Sequence, residues 1–269
     1  MIKKIYIALI LTFTIIILIG CNQKTIYTQR EQTLIVPESQ LAQMGQEAYL
    51  QVLSENMVIS AGQSFQMVKR INDKLIPAVD AALTQYQRDD LLQLMAWQFS
   101  IVSQNSEVNA FCLPGGKVVV YTGILPLTSN DSELAVVLSH EIAHALLQHG
   151  NERMSEQLIL QFGSQVLDEV LKKHPEDTRK IFDQVYGIGT TIGLALPHSR
   201  EQESEADKVG LILMIKAGYD PDAALSFWKK MDDLGGQKPP EFLSTHPSDG
   251  HRIEAIKAFI PQAKELSLN

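Results

Sequence analysis

Two histidines and a glutamate in one apolar stretch have the spacing of a metal site. His140 and His144 lie four residues apart, so on a helix they are rotated by only about 40° and project from one face. Neutral imidazoles at this spacing can bind one Zn²⁺, and Glu141 stands where a carboxylate can reach a water on the metal. Apolar neighbours predict that this helix is buried: Leu134, Ala135, Val137, Leu138, Ile142, Ala145 and Leu146.

The alternative for this stretch is a chance H-E-x-x-H pattern whose histidines only hydrogen-bond within the core. Burying a charged glutamate beside two buried histidines costs folding free energy, and such a group is expected only where the three residues bind a metal or take part in a reaction. An apolar helix also offers such groups few hydrogen-bond partners. The stretch therefore favours a metal site.

A zinc site needs a third protein ligand, and periodicity separates the candidates. His149 is predicted to point away, because it would lie about 140° around the same helix from His144. A later predicted helix carries several carboxylates, and Glu203 heads its small and apolar stripe, which continues through Asp207, Gly210, Met214 and Ala217. Helical geometry sends Glu203 inward, with Asp207 one turn on, where it can accept the N–H of a ligand histidine. Glu201 and Glu205 are predicted on a more solvated face.

The N-terminus has the pattern of an export signal. Lys3 and Lys4 form a basic start, and residues 5–19 are apolar apart from two threonines, a run short for a membrane-spanning helix. The run ends in Leu-Ile-Gly-Cys at Cys21, which looks like a bacterial lipobox, where the cysteine is lipidated and becomes the mature N-terminus. We predict a lipoprotein signal peptide over residues 1–20; a plain N-terminal anchor or an ordinary signal peptide is the alternative.

The predicted mature chain is acidic. Without residues 1–20 it has 21 Lys and Arg against 31 Asp and Glu, which argues against nucleic acid as a partner. Residues 21–36 are predicted to be the lipidated cysteine and a tether, and residues 37–269 one folded domain. The lipid bilayer is then a partner through Cys21. Asn22 after the cysteine favours outer-membrane over inner-membrane retention in a host with two membranes.

Hydrophobic periodicity predicts a mainly α fold with a small β-sheet, an α+β class. Two helices are expected before the motif, over about 37–56 and 62–86, and Pro77 is expected to kink or split the second. Strands are expected within 95–104 and over 117–121, the latter after the turn residues of Pro-Gly-Gly. Further helices are expected over about 151–173, 177–195, 199–217 and 221–234.

Four motifs in a fixed order together resemble one peptidase family. They are His140-Glu141-x-x-His144, Glu203-x-Glu205-Ala206-Asp207, Asn109-Ala110-Phe111 with Pro114-Gly115-Gly116, and Ser244-Thr245-His246-Pro247 with Arg252-Ile253. This set looks like the gluzincin family of the CAAX prenyl endopeptidases, which also includes the mitochondrial inner-membrane stress protease and bacterial periplasmic relatives. The resemblance covers about residues 38–258. It implies a zincin-like metallopeptidase domain with the H-E-x-x-H helix at its active site.

The resemblance also implies roles for individual residues. One zinc ion per chain would be held by His140, His144 and Glu203. An edge strand near Asn109 would receive the substrate backbone by β-augmentation. His246, and with it Asn109, would contact substrate or the developing oxyanion. His246 could instead coordinate zinc in the resting enzyme and block water, and the alternative without a catalytic role is a loop histidine that holds backbone.

The implied mechanism is metal-assisted hydrolysis of peptide bonds. Zinc lowers the pKa of a water and polarises the scissile carbonyl, and Glu141 is the general base. We expect a zinc endopeptidase acting on envelope proteins, misfolded or misassembled ones above all, and facing the periplasm. The competing class is an envelope-assembly chaperone or adaptor with secondary or latent proteolysis. A purely structural zinc protein fits less well, since three ligands leave an open fourth position.

Two further residues near these motifs admit alternatives. Cys112 has no cysteine partner once Cys21 is lipidated, so it is expected to be a small buried hydrophobe, with a thiol near the metal as the alternative. It also departs from the family, whose members commonly have a small apolar residue there. Arg252 is expected to be a structural ion-pair partner rather than a catalytic group.

Overall fold

A computed structural model describes residues 22–163, 171–188, 196–234, 241–247 and 250–268. The predicted signal peptide and Cys21 lie outside these residues. The first half of the described chain contains strands β1 (Asn22–Lys24), β2 (Glu31–Thr33), β3 (Val58–Ile59), β4 (Gln98–Val102), β5 (Ala110–Leu113) and β6 (Lys117–Tyr121). Helices α1 (Glu38–Glu55), α2 (Gln63–Gln85) and α3 (Asp89–Leu92) lie between these strands, and a 3₁₀ helix (Thr122–Leu127) follows β6. The second half is helical: α4 (Asp131–Leu146), α5 (His149–Phe162), α6 (Pro175–Tyr186), α7 (Arg200–Lys216), α8 (Ala223–Leu234), α9 (Glu241–Thr245) and α10 (Arg252–Ser267).

Two small sheets accompany the helices, which confirms the predicted α+β class. The larger sheet has the strand order β3-β4-β6-β5, in which β4 and β6 are parallel and the outer pairs are antiparallel. In this order β5 is an edge strand, and no other described strand pairs with the outer side of its backbone, where another extended chain could pair. The smaller sheet is the β1–β2 hairpin.

Helix α4 lies at the centre of the domain. It packs most extensively on α7 and also contacts β5, α8 and α2. Its buried residues run without interruption from Glu133 to His144, as its apolar sequence predicts. Asn130 caps its start, since the Asn130 side chain accepts a hydrogen bond from the Glu133 backbone N–H at 3.0 Å. The motif helix is therefore fixed from several sides.

The segment expected to be a tether is part of the folded domain. Residues 22–33 form the hairpin, and Thr25 and Ile26 at its turn are buried. The hairpin packs on α5, and its contacts with later carboxylates are described below. The sequence did not predict this packing because the hairpin has few apolar residues. Its polar side chains are satisfied by buried partners rather than by water.

Several boundaries differ from the predictions for physical reasons. Helix α2 continues unbroken past Pro77. Helix α5 ends at Phe162, before Gly163 with φ 69°, and α6 ends before Gly187 with φ 68°, because left-handed glycines stop helices. Helix α10 was not predicted. No helix among the described residues has the length and apolarity needed to cross a bilayer.

Candidate metal centre

Four side chains from three elements converge on one buried point. They are His140 and His144 of α4, Glu203 of α7 and His246, which directly follows α9. Each offers a nitrogen or oxygen atom, and these atoms all lie within 4.8 Å of one another. The spacing rule placed both histidines on one face of α4, and the inward stripe of α7 brought Glu203 to them. Sequence reasoning had left His246 between two roles.

The distances among these atoms fit a tetrahedral zinc. His140 Nε2 lies 3.1 Å from His144 Nε2 and 3.4 Å from a Glu203 oxygen, and His144 Nε2 lies 3.2 Å from the other Glu203 oxygen. Two ligand atoms about 2.1 Å from one tetrahedral zinc would be about 3.4 Å apart. The three predicted ligands therefore have the separations that one ion requires.

The electrostatics of the point also favour a cation. Burial lowers the pKa of His140, but the carboxylates of Glu203 and Asp207 outweigh it and raise that pKa to about 9. Burial lowers the pKa of His144 well below its usual value, so its ring is neutral and offers a lone pair. The same negative potential from Glu203 and Asp207 that raises the pKa of His140 would attract Zn²⁺, which takes the place of the proton on His140 and uses the lone pair of His144.

Asp207 and Arg252 contact the candidate ligands His140 and Glu203. His140 Nδ1 lies 3.0 Å from Asp207 Oδ1, the contact expected for a ligand histidine. Arg252 donates two hydrogen bonds to Asp207, at 2.8 and 2.7 Å, and its Nη1 lies 3.0 Å from Glu203. The Arg252 guanidinium also lies 3.3 Å from the ring centre of Trp228. Arg252 thus holds two carboxylates in place, as the structural role predicts.

Glu141 lies beside the ligand group with an oxygen that no described residue satisfies. It is 3% exposed, and among the described residues its Oε1 has no hydrogen-bond partner. His246 Nε2 is 3.4 Å from that oxygen. Burial raises the pKa of Glu141, which suits a group that must take up and release a proton.

One cleft joins these residues to the edge strand. Its lining includes Asn109, Phe111 and Cys112 around β5, together with Glu141 and His246. The Asn109 side-chain oxygen accepts a hydrogen bond from the Ala110 backbone N–H at 2.9 Å. Cys112 is buried, and burial raises the pKa of its thiol, so it is a packed thiol rather than a thiolate.

Two histidines near the centre were misjudged or missed by sequence reasoning. Gln148 has φ 59°, which breaks the helix, so His149 begins α5 instead of continuing α4. The His149 ring contacts Nδ1 of the His144 ring, so His149 does not point away from His144. His198 was not identified; its ring centre lies 3.8 Å from that of His144. One signal in the sequence could have identified His198. It directly precedes Ser199, which caps the helix that carries Glu203.

Glu205 is the clearest correction on α7. It was expected on a solvated face, but it is 4% exposed and receives hydrogen bonds from the β1–β2 hairpin. The hairpin covers this side of α7, which helical periodicity alone cannot reveal. Glu201, assigned to the same face, is exposed as expected.

Comparison with known proteins agrees with this geometry. The model of peptidase family M48 matches residues 63–260. The mitochondrial metalloendopeptidase OMA1 of Schizosaccharomyces pombe is 34% identical over 230 residues, covering 82% of this chain and 61% of the relative, and the human OMA1 is 32% identical over 250 residues, covering 89% and 46%. A β-barrel assembly-enhancing protease of Yersinia pestis is 30% identical over 228 residues, covering 79% and 46%.

The match spans the elements that build the centre. Residues 63–260 contain the edge strand, the motif helix, the helix of Glu203 and the loop of His246. The chain spans 46–61% of the length of the three relatives. Within the shared part, the chain belongs to peptidase family M48, whose members are zinc metallopeptidases.

Proposed function

We propose that this protein is a zinc-dependent endopeptidase of the bacterial cell envelope. The observation that carries the proposal is the group of His140, His144 and Glu203, at ligand separations, with Glu141 beside it. A purely structural zinc site does not require a buried carboxylate such as Glu141 next to the ligands, with an oxygen that no described residue satisfies.

The residues of the centre divide the reaction between them. Bound zinc supplies Lewis-acid chemistry that acidifies a water and polarises the scissile carbonyl. Glu141 takes the proton from the attacking water and passes it to the leaving amine. Asp207 and Arg252 hold His140 and Glu203 in the orientation that binding requires.

The substrate is proposed to bind as an extended strand along β5. Support comes from the position of β5 at the edge of the described sheet and from the cleft that runs from Asn109 and Phe111 to Glu141. Main-chain hydrogen bonds would then provide affinity with little dependence on sequence, as cleavage of unfolded protein requires. Asn109 at the start of this strand would contact the substrate backbone, so Asn109→Ala should raise KM more than it lowers kcat.

The envelope location rests on two supports. One is the signal pattern that ends at Cys21, whose lipid would tether the protein to a bilayer with the folded domain facing the periplasm. Asn22, the residue after the cysteine, favours the outer membrane. The other is the Yersinia pestis relative, whose name assigns it to β-barrel assembly. Misfolded or misassembled envelope proteins are the substrate class that fits both. Labelling with radioactive palmitate in cells, with Cys21→Ala as control, tests the anchor.

The test of the peptidase function compares the parent with Glu141→Gln. The variant should keep zinc and fold but hydrolyse unfolded casein about 10²–10⁴-fold more slowly, because the ligands remain while the base is lost. Glu201→Gln, an exposed carboxylate on α7, is the matched control and should cleave like the parent. Undiminished cleavage by Glu141→Gln would refute the assignment.

The same pair of variants tests the adaptor alternative in cells. The assembly role in the name of the Yersinia pestis relative is what favours this alternative. Envelope proteins that accumulate with Glu141→Gln but not with the parent would be substrates. If Glu141→Gln instead restored envelope assembly to a deletion strain as well as the parent does, the protein would act as an adaptor.

A further inference from the structure

A buried chain of hydrogen bonds holds the ring of metal ligand His144 at its Nδ1 atom, on the side away from the metal. His144 Nδ1 lies 2.8 Å from His149 Nδ1, and His149 Nε2 lies 3.0 Å from Glu205 Oε2. His149 is fully buried and Glu205 nearly so. The opposite nitrogen of the His144 ring, Nε2, is the one that faces His140 and Glu203. The chain therefore acts on the ligand from the side away from the metal.

Glu205 is the acceptor at the end of the chain, and this sets the direction of the hydrogen bonds. The side chains of Thr25, Thr28 and Arg30 all donate hydrogen bonds to its carboxylate oxygens. Thr25 Oγ1 donates to Glu205 Oε1 at 2.6 Å, and Arg30 Nε donates to Oε2 at 2.7 Å. Both oxygens of Glu205 therefore serve as acceptors, so the facing nitrogen of His149 is a donor.

The donor state of His149 then determines the tautomer of His144. A neutral imidazole that donates from Nε2 has an acceptor lone pair at Nδ1. His149 Nδ1 therefore accepts, and His144 donates to it from its own Nδ1. This leaves the lone pair of His144 at Nε2, where the metal lies. Each link is fixed by the one before it, and the first link is Glu205.

Arg30 ties this chain to the N-terminal hairpin. Its Nη1 and Nη2 donate to the two oxygens of Glu152, at 2.6 and 2.7 Å, while its Nε donates to Glu205. Gln202 donates to the same Glu152 at 2.7 Å. Both carboxylates are buried and share the charge of Arg30, and burying carboxylates is costly when a cationic partner is removed. Loss of Arg30 would therefore disturb the group that orients His149.

We propose that His149 and Glu205 are positioning residues that fix the tautomer and orientation of metal ligand His144, and that the β1–β2 hairpin completes the metal centre through Arg30. The inference rests on the proposed assignment of His144 as a ligand. The competing explanation is that the network only stabilises the fold. The two differ in what they predict for metal binding at temperatures where every variant is folded.

The first test replaces His149 with phenylalanine in the full chain. Zinc affinity, measured by competition with a chromophoric chelator, should fall about 10–100-fold, the usual effect of removing the partner of a ligand histidine. The visible absorption bands of the Co²⁺-loaded protein should shift, because the ligand ring is no longer held. The exposed His174 before α6 supplies a matched control, and His174→Phe should change neither readout.

The second test separates the hairpin from the rest of the network. Arg30→Gln should weaken zinc binding in the same direction, and Arg30→Lys, which keeps the charge but loses the fork of donors, should recover part of it. Arg70→Gln removes an exposed arginine that pairs with Asp131 and is the control. If His149→Phe does not fold, the nearly isosteric Glu205→Gln takes its place in the same measurements.

The outcomes distinguish this inference from the ligand assignment. Unchanged zinc affinity and cobalt spectra in folded His149→Phe and Arg30→Gln, with only a lower melting temperature of the metal-free protein, would overturn the inference. His144→Ala should lose zinc altogether. If His144→Ala bound zinc like the parent, the ligand assignment itself would be wrong. If it lost zinc while the other variants bound normally, only the positioning role would fail.

Discussion

Gly210 of α7 lies directly against the backbone of His140 in α4. A β-carbon at Gly210 would come within 3.2 Å of the His140 backbone nitrogen and of the Ser139 carbonyl group, closer than ordinary van der Waals contact. The obstacle is helix backbone, which cannot rotate away as a side chain can. The absent side chain therefore sets the separation of the two helices that carry His140 and Glu203.

We predict that Gly210→Val weakens both folding and metal binding. Forcing apart two packed helices should cost about 1–3 kcal/mol, as overpacking typically does. The separation of His140 and Glu203 should also widen, so zinc affinity should fall more than it would from lost stability alone. Urea unfolding of the metal-free protein and chelator competition measure the two effects. Gly250→Val is the control, since among the described residues a β-carbon there meets no atom within 4 Å apart from its chain neighbours; equal effects at both positions would contradict the prediction.

Glu203→Ala should abolish stoichiometric zinc binding. It removes one of three ligands and leaves Arg252 and His140 beside an empty position. Glu201→Ala, two residues earlier on the exposed face of α7, should retain one zinc per chain. Metal analysis of the purified proteins decides this, and equal zinc content in both would show that Glu203 is the wrong carboxylate. Glu205 is unsuitable as the control because it is buried.

Cys112→Ala should preserve peptidase activity within a few-fold. The thiol is buried, burial raises its pKa, and its Sγ lies 3.7 Å from the Leu113 carbonyl oxygen, all of which describe a packed, unreactive group. The folded parent should also resist iodoacetamide and react once unfolded. A large activation on substitution or alkylation would instead place the thiol at the open position of the zinc.

What the sequence predicts well is what depends on helical periodicity. The apolar surroundings of His140 and His144 predicted a buried helix, and the stripe from Glu203 through Asp207 and Gly210 faces that helix as expected. These relationships lie within one element, or between two elements whose buried faces are evident. Local pattern and burial were sufficient for them.

What the sequence does not predict depends on contacts between distant segments. Glu205 is buried because Arg30, 175 residues earlier, covers it, and a helical pattern contains no trace of that partner. The break at Gln148 was missed because a non-glycine residue adopts the left-handed conformation there. His149 was therefore placed on the wrong helix, and its contact with His144 could not be foreseen.

His246 lies inside the ligand group, which bears on its two possible roles. Its Nδ1 is 2.9 Å from a Glu203 oxygen and 3.3 Å from His140 Nε2, the separation expected for two ligands of one tetrahedral zinc. Its ring stacks on Phe242, with ring centres 4.5 Å apart, and it is 3% exposed. The sequence favours an oxyanion donor, whereas this geometry supports a fourth ligand that covers the metal at rest.

We therefore predict that His246→Ala raises the rate at which a short peptide is cleaved, because the fourth position opens to water. Zinc should also exchange faster with a chelator, since one ligand is lost. Steady-state kinetics and zinc release should be measured on the same preparation, with His174→Ala as an exposed control. A fall in kcat of about 10²–10³, with zinc release unchanged, would instead assign His246 as the donor to the oxyanion, because that is the usual cost of losing such a donor.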